Sequence, residues 1–354
     1  GSVVPADGDP ESPFIEEQTI SNETWSTDVF GDASYQVTPR LEVSGGIRFS
    51  FSDVESELVV PQISPNRAPT GLNNLVLPLF TVGGAAPGRD KADDTFTGLT
   101  GRIAFRYALT EDFNLYAGYS RGRRPDVLDE QDATDTIEKF KEETVDSFEL
   151  GAKGRLSDLP GRPAFDLALF TIEVDDALVP YELPAFPGRE FFRNAGSTRK
   201  NGAEAALSIF PTGRLTATLS YTYSDFKYED FETGGNDYSG NRLPGVPEHF
   251  GNLRLRYDDP SGLSLRWNTR FVGTLQADDA NTTEVDGYSF SDLRVSWQRD
   301  FGAWTIEGFG GLNNVFDQAY SANIRINAFG GRYYEPAPDR NVYAGLRLRY
   351  WFGR

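Results

Sequence analysis

The chain has 354 residues, a net charge of −19 at neutral pH, no cysteine, and 26 Phe, 16 Tyr and 5 Trp. The acidic balance argues against a nucleic-acid partner, because phosphate contacts need a basic surface, and the missing Cys excludes disulfides and thiolate metal sites. No window reaches the ~18 consecutive apolar residues of a membrane helix, which leaves open a β-barrel, where only every second strand residue meets lipid.

Residues 1–21, with Pro5, Pro10, Pro13 and several acids, read as an irregular lead-in or loop remnant, and 22–354 as one repeating region. Its unit is a long alternating strand, a very short turn, a second long strand and a long polar loop. The first pair is expected at 22–37 and 40–56, turning at Thr38-Pro39-Arg40. Leu41, Val43, Ile47, Phe49 and Phe51 share one face, and Glu42, Ser44, Arg48 and Ser50 the other, since successive strand residues alternate. A loop rich in Pro, Gly and Asn follows at 57–92.

The second pair is expected at 94–108 and 113–121, the third at 144–156 and 163–178, and the fourth at 190–210 and 214–228. The fifth spans 249–258 and 262–275, the sixth 287–299 and 302–314, and a last strand 340–352 stands alone. That last run sets Leu346, Leu348, Tyr350 and Phe352 against Arg347, Arg349 and Trp351. Arg102, Arg106, Arg254 and Arg256 likewise oppose apolar faces. Short turns at one end, long loops at the other and aromatic residues near strand ends describe an outer-membrane barrel. The fold class is therefore all-β: a partial antiparallel transmembrane barrel of about 13–14 strands, with short periplasmic turns and long extracellular loops. Propeller strands would be shorter and repeat with a fixed period, and no such period is present. The chain contains no Met and so no signal peptide, and it reads as a processed chain or a piece of a larger one.

Enzyme chemistry finds little support. His249 is the one histidine, and a Ser-His-Asp triad needs its His as base, so it reads as a structural or surface residue. One His also excludes a His-cluster metal site. The acidic pairs Asp175-Asp176 and Asp278-Asp279 are of a type that binds calcium, but they read as solvated loop surface. No cofactor is expected.

Several segments, in order, resemble landmarks of the TonB-dependent outer-membrane receptors. Val29 to Tyr35 followed by Leu41 to Arg48 is similar to paired mid-barrel strands of that family. Tyr119-Ser120-Arg121-Gly122-Arg123-Arg124-Pro125 resembles its "YSRGFRPP" strand end, with Arg123 where Phe is usual. Glu142 to Gly151 resembles its "PE…SYELG" strand start, and Asn194-Ala195-Gly196 with Asn201-Gly202-Ala203-Glu204 its "NAG…GAE" strand. Gly240 to Pro247 resembles "GxxLPGVP", and Leu312 to Asp317 resembles "xxNLFD". The spacing is most similar to the ferric-siderophore and iron-citrate type.

The resemblance implies the C-terminal part of a barrel that takes up a ferric siderophore or similar iron chelate. The family's N-terminal plug domain has no counterpart in these residues, so contact with TonB is expected only through a plug outside this chain. Outer-membrane lipid and lipopolysaccharide would surround the barrel. An anionic chelate would be held by arginines and stacked on aromatics. The candidates facing the long loops are Arg121, Arg123, Arg124, Arg325, Arg332, Tyr333 and Tyr334, with Arg332-Tyr333-Tyr334 preferred. The alternative reading is a smaller plugless barrel acting as a passive pore or structural protein.

Overall fold

The computed structural model describes residues 19–60, 88–124, 127–131, 136–182, 190–194, 196–331 and 333–352. Thirteen strands form one antiparallel sheet in which each pairs with its sequence neighbours. They are β1 Thr19–Gln36, β2 Leu41–Val60, β3 Gly88–Ala108, β4 Phe113–Arg124, β5 Glu143–Arg155, β6 Ala164–Asp175 and β7 Ser197–Thr212. Then come β8 Leu215–Asp230, β9 His249–Asp258, β10 Leu263–Val272, β11 Tyr288–Phe301, β12 Trp304–Asn313 and β13 Asn341–Tyr350. β1 and β13 are the two edges and do not pair with each other among the described residues, so the wall is an open sheet.

The expected strands are present, with three shifts. β2 runs on to Val60 and β3 begins at Gly88, so both ends of the stretch 57–92 read as loop are strand. β1 begins at Thr19, inside the stretch read as lead-in. The expected strand 190–210 is two elements: Glu190–Asn194 pairs with Leu178–Glu182 in a loop hairpin, and β7 starts at Ser197. The cause is a turn at Asp176, whose φ of 53° ends β6 while its amide donates to the Gly196 carbonyl at 2.8 Å.

Register makes the two faces explicit. Val43, Phe105, Ala117, Leu150, Leu169 and Ala203 lie directly opposite one another across β2 to β7. Leu150 and Leu169 on this row are 58% and 61% exposed. Leaving such side chains in water forfeits about 1.5–3 kcal/mol each, so a wall covered with them belongs in lipid. The opposite row runs Glu42, Arg106, Tyr116, Gly151, Ala168, Glu204 and Thr222, and it faces a wet lumen. Aromatic pairs mark both ends of the apolar band. Trp304 and Tyr350 meet at 5.0 Å near the turns, and Tyr119 and Phe148 at 4.8 Å near the loops.

The turns are built from side-chain acceptors. The hydroxyls of Thr38 and Thr212 each accept two backbone amides, those of Arg40 and Leu41 and those of Arg214 and Leu215. In the turn after β9, Asp259 accepts the Ser261 amide at 2.9 Å and Gly262 takes a φ of 94°. A Cβ on Gly262 would overlap the Gln298 carbonyl, so that turn requires glycine.

The long loops carry their own small hairpins, for example Val127–Gln131 with Thr136–Phe140 and Ser321–Ile324 with Tyr334–Pro336. The dry core lies beneath them, where Val174, Ala177, Val179, Tyr228 and Phe231 pack together. Beside it sits Asp279, only 4% exposed. Its carboxylate accepts the Tyr228 hydroxyl at 2.7 Å and the Asn327 side-chain amide at 3.0 Å, with Arg193 at 3.5 Å. Asn241 donates to its carbonyl and Asn327 accepts its amide. Asp278 is also buried and accepts the amide and hydroxyl of Thr282. The reading of Asp278-Asp279 as solvated surface is therefore corrected: buried carboxylates need partners, and here they tie separate loops together.

Candidate ligand-binding site

Near the loop end of β1 to β4 the inner face encloses an open cavity of about 740 Å³. Alternation places Asp28, Asp32, Arg48 and Arg102 there; Asp28 is opposite Ser50, two residues from Arg48, and Gly46 stands between Asp32 and Arg102 in the register. Arg48 grips Asp28 with two hydrogen bonds, Nε at 3.0 Å and Nη2 at 2.6 Å, a fork matched to the carboxylate plane. Arg102 reaches Asp32 at 2.8 Å. These exposed pairs are neutral together and hold each other's geometry.

Arg123 differs. Its side chain is 5% exposed, and Nη1 donates to Glu142 at 2.8 Å. Nη2 is buried without a hydrogen-bond partner among the described residues. The guanidinium lies over Gly98, where any Cβ would overlap it. A buried N–H of a charged group left unpaired is costly, of order 1–3 kcal/mol, and an incoming oxyanion would remove that cost.

The other expected site residues divide into two groups. Arg121 borders the same cavity and faces Asp146 at 3.6 Å, beside the Tyr119 hydroxyl that donates to Asp146 at 2.6 Å. Arg124 is turned to Glu143 at 3.2 Å and does not line the cavity. Arg325, Tyr333 and Tyr334 lie in the loop between β12 and β13, far along the sheet order from β4. There the Arg325 amide donates to the Tyr333 carbonyl, Arg325 Nε lies 3.7 Å from Glu335, and the two tyrosine rings meet edge to face at 6.3 Å. Arg332 lies outside the described residues. Sequence reasoning missed Asp28, Asp32 and Gly98. Their alternation was visible, but their partners were not.

At the loop rim, Arg242 holds Glu248 with a bidentate pair at 2.6 and 2.8 Å, which keeps the carboxyl below its ordinary range and raises the guanidinium. His249 projects from the lipid-facing side, its Nδ1 2.8 Å from the Tyr221 hydroxyl and its ring beside Tyr221 and Tyr223. It is part of the aromatic rim. Asp176 forms an ion pair with Lys141 at 3.2 Å. No group of acids and His suited to a metal ion occurs among the described residues.

Residues 3–315 match the family model described as TonB dependent receptor-like, beta-barrel. The ferrioxamine receptor of Yersinia enterocolitica is 27% identical over 63% of this chain and 30% of its own length. The ferrichrome outer membrane transporter/phage receptor of Escherichia coli K12 is 28% identical over 74% of this chain and 33% of its own. The chain thus spans about a third of the length of these relatives. The crystal structure of the ferric yersiniabactin uptake receptor from Yersinia pestis superposes with a TM-score of 0.72 at 19% identity, over 96% of this chain and 48% of that one. That likeness speaks for the fold. With its lipid-facing apolar wall and wet inner face, the chain belongs to the TonB-dependent receptor β-barrel family of the Gram-negative outer membrane, whose members are receptors and transporters rather than enzymes.

Proposed function

We propose that this chain forms barrel wall and loops of a TonB-dependent transporter that takes up a ferric siderophore or a similar anionic iron chelate. Residues 22–354 act as one barrel region in this reading, set in outer-membrane lipid and lipopolysaccharide, with TonB engaged only through a plug domain. The observation that carries the ligand class is Arg123, a buried guanidinium with one unpaired N–H in a cavity shared with Arg48, Arg102 and Arg121. Arg124, Arg325, Arg332, Tyr333 and Tyr334 are proposed as outer contacts met first by the ligand. Relatives whose names specify ferrioxamine and ferrichrome support an iron-chelate ligand, while its negative charge rests on Arg123 alone.

The test is binding by the chain folded in detergent, followed by tryptophan quenching with ferric citrate as an anionic chelate and ferrichrome as an uncharged one. Ferric citrate is expected to bind, and Arg123→Gln to weaken it about tenfold or more, the usual size for a lost charged hydrogen bond. Ferrichrome should be nearly indifferent to that change. If the two chelates respond alike, Arg123 does not read ligand charge.

A further inference from the structure

The lipid-facing wall is not filled evenly. Near its loop end, across β8 to β11, it carries a groove of about 710 Å³ whose walls are the exposed side chains of Leu219, Tyr221 and Phe271. Register explains the hollow. Tyr221, Gly251, Phe271 and Ser289 lie directly opposite one another on this face, so large and small side chains alternate from strand to strand. One step nearer the loops the floor is Gly273 and Gly287. A Cβ on Gly273 would stand 3.1 Å from the His249 carbonyl oxygen, and one on Gly287 2.8 Å from that of Val272. Close backbone approach therefore keeps that part of the floor bare.

The groove is graded in polarity. Leu219 is its deepest member, and His249, at the first residue of β9, stands at its upper end. The His249 Nδ1 is taken by the Tyr221 hydroxyl at 2.8 Å, which leaves Nε2 without a partner among the described residues. The Ser289 hydroxyl is exposed and likewise has none among them. Gln318, in the segment after β12, closes the far side, and Asn314 fixes its backbone with two hydrogen bonds of 2.9 Å. Apolar surface below and hydrogen-bonding groups above match the order of parts in an outer-leaflet glycolipid, acyl chains below and sugar above. The groove is also continuous with the wall already assigned to lipid.

We propose that this groove seats one glycolipid molecule of the outer leaflet, with acyl chains over Gly251 and beside Phe271 and sugar hydroxyls at His249, Ser289 and Gln318. Lipid tails are as apolar as the wall, so no hydrophobic force selects where they lie, and packing decides instead. A chain lying in a preformed hollow gains dispersion contacts on several sides, whereas a smooth wall offers them on one. Strands lie ~4.8 Å apart, so the four strands span about 14 Å, room for more than one acyl chain. The seat lies outside the lumen, is independent of Arg123 and goes beyond the uptake reading.

Gly251 is the position at which to fill the groove. The nearest atoms to a Cβ there are those of Phe271 at 3.6 Å, ordinary contact, and its backbone is not left-handed. The measurement is native mass spectrometry of the full chain in detergent, titrated with hexa-acylated lipid A and separately with phosphatidylglycerol. The chain is expected to retain one lipid A and to hold phosphatidylglycerol at least tenfold more weakly. Gly251→Leu should weaken lipid A on the order of tenfold, the worth of about two buried methylenes, with circular dichroism and ferric citrate binding unchanged. Ser289→Leu, which fills the same hollow from β11, should act alike and serves where Gly251→Leu does not fold. His249→Gln should weaken lipid A several-fold and leave phosphatidylglycerol as it was. Lipid A retention unaltered in both filled variants would overturn the proposal. So would equal losses of both lipids, which would make the groove ordinary lipid contact. A dimer of the chain that the filled variants abolish, with lipid A still bound, would assign the groove to a second copy instead.

Discussion

At the scale of single residues, the candidate site turns on where a side chain is forbidden. Gly98 has room for no Cβ because the Arg123 guanidinium occupies that space. Gly98→Val should therefore displace Arg123 and lower ferric citrate binding as much as Arg123→Gln does, while β-branching leaves strand propensity intact. Circular dichroism unchanged with binding unchanged would show that the seat is dispensable. Asp279 offers the complementary case. Asp279→Ala strands the Tyr228 hydroxyl and the Asn327 amide, at a cost of about 2–3 kcal/mol. That corresponds to roughly a hundredfold faster amide exchange around 278–282 and 327 if opening is local. Unchanged exchange there would remove Asp279 from its tying role.

Glu248 gives a pH dependence with a definite sign. Its folded carboxyl sits below the ordinary value of 4.5 because Arg242 donates to it. The pair therefore contributes its full stabilisation above that value and loses it as pH falls through the lowered folded value. Proteolysis of the loop 231–248 should accelerate only in that acid window and become pH-independent there in Glu248→Gln.

At the scale of elements, the strands were legible in the sequence because alternation and turn chemistry agree. Thr38 and Asp259 announce their turns, and Leu346 to Phe352 alternate without a break. The loop hairpins were not legible. Pairs as short as Leu275–Gln276 with Glu284–Val285 have too few residues to show a period. The site was half legible. Arg121 and Arg123 stand in a recognisable strand end, but Arg102 meets Asp32 across 70 residues, a pairing that only the register decides. Asp279 looked like any loop acid because its partners arrive from other loops. The two faces predict opposite tolerances: Leu169→Lys, on the lipid side, should cost about 2–4 kcal/mol in vesicles, and Thr222→Lys, in the lumen, about 1 or less. Equal costs in urea titrations would contradict the assignment of faces.

For the whole molecule, charge is segregated. The chain is strongly acidic, yet its inner wall displays arginines at the upper cavity, one of them a half-satisfied buried cation. An anion approaching such a lumen is guided by fields that salt weakens, since the Debye length falls from ~10 Å at 0.1 M to ~3 Å at 1 M. Ferric citrate binding should weaken several-fold over that range while ferrichrome binding stays level. A salt response shared by both chelates would point to a change in folding instead.

The Asp279 tie also bears on how such a receptor changes its preferences. Arg193, Asn241, Asp279 and Asn327 come from four different loops and, with Tyr228 at the end of β8, satisfy one another. Replacing one loop alone would orphan groups in the others, so mutations that alter this part of the mouth should be strongly epistatic. Grafting these loops as a single cassette should preserve folding where piecemeal grafts fail. Diversification would then proceed by linked exchange or recombination, with the thirteen-stranded wall inherited unchanged.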